Sequence, residues 1–253
     1  LIFKDTILGF VAGVQLSSND MLRVGDWIEM PQLNADGEVI DIALHTVKVR
    51  NWDKTITTVP SWRLISDSYK NWRGMQEIGG RRIKRALYID AASVHFLDDE
   101  ELRRLSRLRL LADYLPPRQR EVKQWNAALG EAAALPGNRR RLTNLGTFRA
   151  YVQAYLDQHP QIHRELSCMV RQLASGAQGI ALELYCFTTT VKWAEYEAIQ
   201  SDIFDHLFAS MSEFGLALYQ QPSGQDVRAA LTVGPHAMPA SAQGRRAIEF
   251  DEA

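Results

Sequence analysis

The most constraining feature of this sequence is a series of short apolar–polar alternations between residues 24 and 60, interrupted every few positions by turn-forming residues. The turns are "NADG" at 34–37 and "NWDK" at 51–54, and Pro60 closes the last segment. The apolar parity changes after Leu44, which predicts a β-bulge or a sharp bend near His45–Thr46. Four or five strands in about 50 residues predict a small, strongly curved sheet or barrel of the SH3 or Sm type.

A glycine-containing apolar segment precedes these strands. Its apolar residues recur at helical spacing: Ile7, Leu8, Phe10, Val11 and Val14. Gly9 and Gly13 stand four residues apart, a small-residue spacing that allows another helix to approach closely. The pattern fits either an ordinary core helix or a helix that lies at a membrane surface, and both interpretations remain open at this point.

The region from residue 81 to residue 222 follows a different pattern. A strand, several helices, two strands, a long amphipathic helix at 192–214 and a final strand at 216–222 follow one another. This order predicts an α+β fold with a ferredoxin-like βαββαβ domain. The predicted divisions are a helical segment at 1–17, a middle β-domain at 18–70, an αβ-domain at 71–222 with a helical insertion at about 98–160, and a C-terminal strand and mobile tail at 223–253.

Local signals inside the predicted insertion place its helices. The acidic run "DDEE" at 98–101 predicts a helix start, because acidic side chains complement the helix dipole there. The helix that follows has one leucine face, formed by Leu102, Leu105, Leu108 and Leu111. We expect it to stop at Pro116–Pro117, since proline interrupts a helix interior. Another helix is predicted at about 145–158.

Composition excludes several classes of protein. The formal net charge of -1 disfavours a strongly basic nucleic-acid-binding protein. The two cysteines, Cys168 and Cys186, form no metal or redox motif and no disulfide framework, which favours a reducing compartment. The sequence has no run of about 20 apolar residues. It begins with Leu1 rather than Met, and we expect it to be the C-terminal part of a longer protein.

Candidate catalytic and metal-binding residues are few. His159 and His163 have the spacing of two ligands on a helix, but Pro160 lies between them and no third ligand is evident. Cys168 with His163 could form a nucleophile and base, although Cys168 also fits an apolar strand position. The basic runs at 103–109 and 138–141 read as solvated faces. No catalytic residue, metal site or cofactor is predicted.

Two longer stretches of the sequence carry a series of short motifs: "FVAGVQLSSNDMLRVGDWIEM" at 10–30 and "GEVIDIALHTVKVRNWDKTITTVPSWRLIS" at 37–66. The motifs are Ala12–Val14, Gly25–Ile28, Gly37–Val39, Thr58–Ser61 and Leu64–Ile65. In this order they resemble the small-conductance mechanosensitive channels of bacteria. The segment 189–222 is similar to the end of the family's βαββαβ unit, and the resemblance extends to about Arg228. The long insertion resembles that of the miniconductance branch.

The resemblance implies a tension-gated ion channel of the bacterial inner membrane that releases ions and small solutes on hypo-osmotic shock. Family members are homoheptamers, so the implied partners are other copies of the chain, membrane lipid and the permeating solutes, with no nucleic acid. Their third transmembrane helix lines the pore, kinks and continues along the inner membrane surface. A β-domain and an αβ-domain hang below it as a hollow cytoplasmic cage.

The same resemblance assigns pore-lining or gating positions to four residues. Leu1 corresponds to a pore-narrowing apolar position, where a ring of leucines can block ions by dewetting. Asp5 corresponds to the kink, which usually has a small residue. Gly9 and Gly13 are expected to face neighbouring helices of the assembly, so that the helices can slide past one another.

Two alternatives stay open on the sequence alone. Sm-like barrels bind RNA, and Arg23, Arg50 and Arg63 could contact phosphates in a soluble RNA-binding or adaptor module. Against this interpretation stand the near-zero net charge and the apolar first segment. The second alternative is an enzyme on the ferredoxin-like domain, for which the sequence offers no credible catalytic arrangement.

Overall fold

The computed structural model of the chain describes residues 4–224 and residue 228. Within them the fold is α+β, as predicted. Its helices are α1 (Lys4–Ser18), α2 (Ser61–Ser66), α3 (Arg73–Ile78), α4 (Asp99–Leu105), α5 (Leu115–Ala128), α6 (Asn144–Gln158) and α7 (Trp193–Ser210). Its strands are β1 (Trp27–Met30), β2 (Ala35–Ile42), β3 (Thr46–Asn51), β4 (Ile56–Pro60), β5 (Lys70–Asn71), β6 (Arg82–Ile89), β7 (Met169–Gln172) and β8 (Ile180–Phe187).

The chain divides into two compact units. The first takes residues up to Lys84 together with Leu156–Met169 and Tyr185–Asp205, and the second takes Arg85–Tyr155, Val170–Leu184 and the residues from His206 onward. The division therefore passes through β6, α6, β7, β8 and α7. The sequence-based boundary between a β-domain and an αβ-domain near residue 71 stays a prediction.

Strands β1 to β5 form one sheet in the first unit, in the order β4-β3-β2-β1-β5. All its neighbouring strands are antiparallel, and the first four follow one another as a meander. β5 returns to pair with the free side of β1, Ile28 lying opposite Asn71. Four or five short strands were predicted up to Pro60; β1 to β4 lie in that region, and β5 at Lys70–Asn71 lies after it.

The bulge or sharp bend predicted near His45–Thr46 is present as a bend at residues 44–45, and a register shift lies earlier, inside β2. The register between β2 and β3 shifts between Val39 and Asp41, not at His45–Thr46. Residues 43–45 are the connection between the two strands, closed by a hydrogen bond from the Ala43 amide to the Thr46 carbonyl (2.8 Å). The parity change in the sequence thus combines a bulge inside β2 with the turn that follows it.

The core of the five-stranded sheet includes residues from two helices. Its buried members are Leu16, Leu22, Ile28, Met30, Ala35, Val39, Val47, Val49, Val59 and Leu64. Leu16 comes from α1 and Leu64 from α2, so both helices bury apolar side chains against the sheet. Because burial of a leucine contributes about 1.5–3 kcal/mol, the end of α1 is bound firmly to this core.

A charged cluster fixes the chain just before β1. Asp26 is buried, and its carboxylate accepts hydrogen bonds from the Arg23 amide (2.8 Å), from the Asn71 side chain (3.0 Å) and from Nε and Nη2 of the Arg73 guanidinium. Arg73 also donates to the Asp20 carbonyl (3.1 Å). Burial alone would raise the pKa of Asp26, but the hydrogen bonds from Arg73, Arg23 and Asn71 outweigh it and lower the pKa.

The second sheet has the strand order of a ferredoxin-like unit. Its three strands lie in the order β6-β8-β7. A single antiparallel bridge joins Ile89 of β6 to Leu218, flanked by hydrogen bonds between Asp90 and Ala217 and between Tyr219 and Tyr88 (both 2.9 Å). The segment after α7 thus lies beside β6 as the fourth strand of such a unit would. The predicted strand at 216–222 is shorter than expected, because Gln220–Pro222 add no further pairs among the described residues.

The first helix of the insertion begins where the acidic run predicted, but it ends well before the two prolines. Asp98 caps α4 with a capping box, in which its carboxylate accepts from the Glu101 amide (2.8 Å) and the Glu101 carboxylate accepts from the Asp98 amide (3.0 Å). The predicted helix from 98 to Pro116–Pro117 was wrong, since α4 ends at Leu105. The two prolines instead occupy the first turn of α5, where a missing amide N–H costs nothing.

One buried amide holds the two ends of the insertion together. Asn144 accepts from the His95 amide (3.1 Å) and donates to the carbonyls of Ser93 (2.9 Å) and Phe214 (3.1 Å). Next to it, the Leu97 amide donates to the Leu142 carbonyl (2.8 Å). The segment between these points is therefore a part of the second unit whose two ends meet at one place.

We expect Asp26→Asn to destabilise the chain by about 3 kcal/mol at neutral pH, because it leaves the Arg73 guanidinium without its buried carboxylate. The pKa of Asp26 is lowered in the folded state, so its contribution is present above about pH 4 and is lost as pH falls through the folded-state pKa. Urea unfolding over a pH series measures both effects. Asp41→Asn is the control, since the Asp41–Lys48 pair (3.1 Å) is half exposed. Equal losses in the two variants would contradict the role of Asp26.

Gly37→Ala should destabilise the five-stranded sheet by about 3 kcal/mol. A Cβ at Gly37 would lie 2.0 Å from the Arg50 carbonyl oxygen on β3, and backbone cannot move aside as a flexible side chain can. Gly74→Ala is the matched control, because a Cβ there meets nothing within 4 Å and alanine favours the α3 helix. Urea unfolding measures the free energy of unfolding of both variants. A Gly37→Ala variant as stable as the unmodified chain would show that β2 and β3 can move apart here without loss of stability.

Candidate functional site at the first helix

The α1 helix has two unlike faces. Gly9, Ala12 and Leu16 are buried on one of them. The other presents large apolar side chains that are 44–50% exposed: Leu8, Phe10, Val11 and Val14. An apolar face of this kind on a helix is typical of a surface that contacts lipid or another protein chain.

The two glycines of α1 contact the turn between β2 and β3. A Cβ built at Gly13 would lie 2.5 Å from the Leu44 carbonyl oxygen, and one at Gly9 would lie 3.1 Å from His45 Nδ1. The helix backbone therefore approaches the turn as closely as the absence of side chains allows. Gly13 is the tighter of the two positions, because its neighbour is backbone rather than a side chain that can rotate.

The same turn is connected to α2. The Ser61 amide at the start of α2 donates to the His45 carbonyl (2.9 Å), and α1 and α2 pack against each other. The Ser61 hydroxyl is fully buried and has no hydrogen-bond partner within residues 4–224 or at 228. α1, the β2–β3 turn and α2 thus form one packed cluster.

The structure places the four predicted site residues as follows. Leu1 lies outside the described residues. Asp5 belongs to the first turn of α1. Gly9 and Gly13 make close contacts with His45 and Leu44 of the same chain, whereas the contact predicted for them was with neighbouring helices of the assembly. Neither His45 nor Leu44 could be inferred as a partner from the sequence, because glycine spacing indicates only that something approaches. The pore-lining roles of all four residues stay predictions.

The histidines and cysteines have local roles in the first unit. His159 Nδ1 accepts from the Gln161 amide and His163 Nδ1 from the Glu165 amide (both 3.2 Å). Burial lowers the pKa of His159. Burial raises the pKa of the Cys186 thiol to about 12, so this thiol stays protonated and unreactive. In the described part of the chain, no three His, Cys, Asp or Glu side chains are grouped to hold a metal ion.

The arginines that an RNA-binding interpretation would use are already paired with carboxylates: Arg23 with Asp20, Arg50 with Glu38 and Arg63 with Asp67. A polar cavity of about 580 Å³ lies beside the β1–β2 and β3–β4 turns of the same sheet. Glu29, Asp36 and Asp53 line it, so its walls repel phosphate groups. The geometry therefore gives the RNA-binding alternative no support.

Among the residues that the structure describes, none of the helices combines the length and the hydropathy needed to cross a bilayer.

Two family models match the chain. One, described as the β-domain of mechanosensitive ion channels, matches residues 5–74. The other, described as the C-terminal part of the mechanosensitive ion channel MscS, matches residues 143–218. Together they include the five-stranded sheet with most of α1, and α6 with the strands and helix that follow.

Curated relatives agree with these matches. The low conductance mechanosensitive channel YnaI of Escherichia coli is 24% identical over 204 residues, which is 79% of this chain and 44% of YnaI. An uncharacterised MscS family protein of Helicobacter pylori is 24% identical over 206 residues, which is 80% of this chain and 29% of that protein. The chain thus spans less than half the length of these relatives.

Solved structures share the fold at low sequence identity. The cryo-EM structure of Arabidopsis thaliana MSL1 matches with a TM-score of 0.58 and 13% identity, over 87% of this chain and 61% of that one. The closed-state crystal structure of Helicobacter pylori MscS matches with a TM-score of 0.55 and 11% identity, over 88% and 66%.

The matched family consists of channels rather than enzymes. Two independent matches to successive parts of one family, in the right order and on the α+β fold that the family shares, lead to one conclusion. The chain belongs to the MscS-like family of mechanosensitive ion channels.

Proposed function

We propose that this chain is the pore-helix end and the cytoplasmic part of a tension-gated channel of the bacterial inner membrane, which releases ions and small solutes on hypo-osmotic shock. The observation that carries the proposal is the two-faced α1 helix. Gly9 and Gly13 bind it to the β2–β3 turn, while the face with Phe10, Val11 and Val14 is left apolar and exposed. That face fits the lipid boundary or a neighbouring pore helix.

Gating then needs no catalytic group. A channel opens under tension when its open state occupies more membrane area than its closed state, so tension shifts the population between them. α1 is the element that has to move, and its glycine face controls how it contacts the β2–β3 turn. Asp5 and Leu1 would lie toward the pore, with Leu1 at the constriction and Asp5 near the kink.

We further propose a homoheptamer of the miniconductance type, with lipid and permeating solutes as the other partners. The long segment between the two matched family regions, residues 75–142, supports this branch because it contains α4 and α5. The domain arrangement proposed is a helical segment at 1–17, a β-domain at 18–70, an αβ-domain at 71–222 and a tail at 223–253.

Patch-clamp recording of the full-length protein under suction tests the function. In membranes that lack other tension-gated channels, we expect a current that rises with tension and is absent without the protein. Quantification of the protein in the same membranes is the control. A well-expressed protein that gives no tension-dependent current would overturn the channel assignment, even though the family membership would stand.

Gly13→Leu should impair gating, because a side chain at this position collides with the Leu44 carbonyl oxygen and pushes α1 off the β2–β3 turn. Overpacking of this kind costs about 1–3 kcal/mol, which changes the ratio of docked to undocked α1 by roughly 5- to 150-fold. The pressure threshold and the number of active channels per patch measure the effect.

Gly74→Leu is the matched control for this variant. It makes the same change of residue type at an exposed glycine of α3, where a Cβ meets nothing within 4 Å. We expect its threshold to stay close to that of the unmodified protein. If Gly13→Leu also kept its threshold and conductance, the close contact at Gly13 would have no part in gating.

A further inference from the structure

A cavity of about 180 Å³ lies in the second unit, between α5 and the start of α6. Its polar lining comes from Tyr114, Arg118 and Glu121 on one side and from Arg140, Arg141 and Arg149 on the other. The bridge between Phe96 and Thr143 closes the insertion next to it. The cavity is therefore built where the insertion meets α6, outside the cluster at α1.

The charges around this cavity are unbalanced. Four guanidinium groups face it with only one carboxylate, that of Glu121. Glu121 accepts from Arg118 (2.5 Å) and pairs with Arg140 (3.0 Å), and these two contacts lower the pKa of its carboxyl group. One carboxylate shared between two arginines leaves this part of the wall positive.

The two remaining arginines have no carboxylate partner among the described residues. Arg141 lies over the ring of Phe96, with 3.8 Å between its guanidinium carbon and the ring centroid. This contact holds the guanidinium group without neutralising it. Arg149 is exposed on α6 and makes no ion pair with any residue from 4 to 224. Both therefore keep their full charge and their hydrogen-bond donors toward the cavity.

Three of the four arginines are held in place before any ligand arrives. Arg140 stacks on Trp125 (5.3 Å) and Arg118 on Tyr114 (6.0 Å), in addition to their pairing with Glu121. Guanidinium groups held in place by rings lose less conformational entropy when they bind an anion. The first amides of α6 add positive potential, although the Gly146 amide is already bound to the Thr143 hydroxyl (3.1 Å).

The size of the cavity limits what it can hold. Its volume is that of about six water molecules in the liquid. It is smaller than the roughly 300–1,000 Å³ of a typical organic-ligand pocket. A planar guanidinium fork matches the oxygens of a phosphate group in geometry and charge. A small, multiply charged oxyanion is therefore the ligand that fits both the charge and the volume.

We propose that this arginine cavity is a binding site for a small free phosphate group, either inorganic phosphate or the phosphate of a small phosphomonoester. A channel that releases solutes would thereby have a site for one class of cytoplasmic solute on its insertion. The proposal does not depend on channel activity, since binding can be measured on the chain itself. A lipid headgroup offers the same chemistry, but the small volume of the cavity favours a small free anion.

Isothermal titration of the chain with inorganic phosphate and with glycerol phosphate at low ionic strength tests the site. We expect one saturable site per chain, with an affinity that weakens as salt is added. Arg141→Gln with Arg149→Gln should weaken binding by at least about tenfold, because each removed guanidinium loses charged hydrogen bonds to the anion. Both residues are exposed, and circular dichroism verifies that the double variant folds.

A double variant elsewhere in the second unit is the matched control. Arg107→Gln with Arg120→Gln removes the same two charges from exposed positions that do not line the cavity, and we expect binding to be unchanged. Equal weakening in both double variants would show a non-specific charge effect and overturn the site. Absence of saturable phosphate binding would overturn it as well.

Binding to lipid vesicles tests whether the phosphate group belongs to a lipid headgroup rather than to a free anion. The chain is mixed with phosphatidylcholine vesicles that contain phosphatidic acid, with and without free phosphate. We expect no binding through this cavity, so the Arg141→Gln, Arg149→Gln variant should float with the vesicles to the same extent as the unmodified chain. Loss of vesicle binding in that variant, without any saturable binding of free phosphate, would overturn the assignment to a free anion.

Discussion

The contact of α1 with the β2–β3 turn is the constraint on which the rest of the first unit depends. At Gly13 there is no room for a Cβ against the Leu44 carbonyl, so the helix and the turn are separated only by backbone atoms. Three residues later the helix contributes Leu16 to the core of the five-stranded sheet. The apolar face of α1 stays exposed because the opposite face is bound this tightly to the turn and the core. One helix thus contributes to the core of the sheet on one side and presents an exposed apolar surface on the other.

The Asp26–Arg73 pair fixes the position of the chain after α1, as the contact at Gly13 fixes α1 itself. It joins the turn at Asp20, the entry to β1 and the start of α3 through one guanidinium group. A buried pair of this kind contributes little net stability compared with an apolar contact, but its geometry is specific. Its role is therefore to fix where the sheet begins relative to the end of α1, while the apolar core supplies most of the free energy of folding.

Sequence patterns predicted the parts of this fold that depend on local chemistry. Alternation placed the strands around Val47 and Val49, and the acidic run placed the start of α4, because both signals act within a few residues. The role predicted for Pro116 and Pro117 was wrong, because proline is unfavourable inside a helix but favourable in its first turn, where these two lie in α5. The partner of Gly13 and the grouping of arginines around Glu121 depend on chain segments far apart in sequence, and no local pattern contains that information.

The two ends of the helical insertion meet at Asn144, whose amide binds the backbone at Ser93, His95 and Phe214. Everything between Leu97 and Leu142 is therefore a loop whose closure is set at its base. Closing a longer loop costs only a little more entropy, growing with the logarithm of its length. Over evolutionary time this segment can lengthen, shorten or acquire new helices while the remainder of the protein stays the same. Relatives with insertions of very different size should keep an amide side chain at this one position.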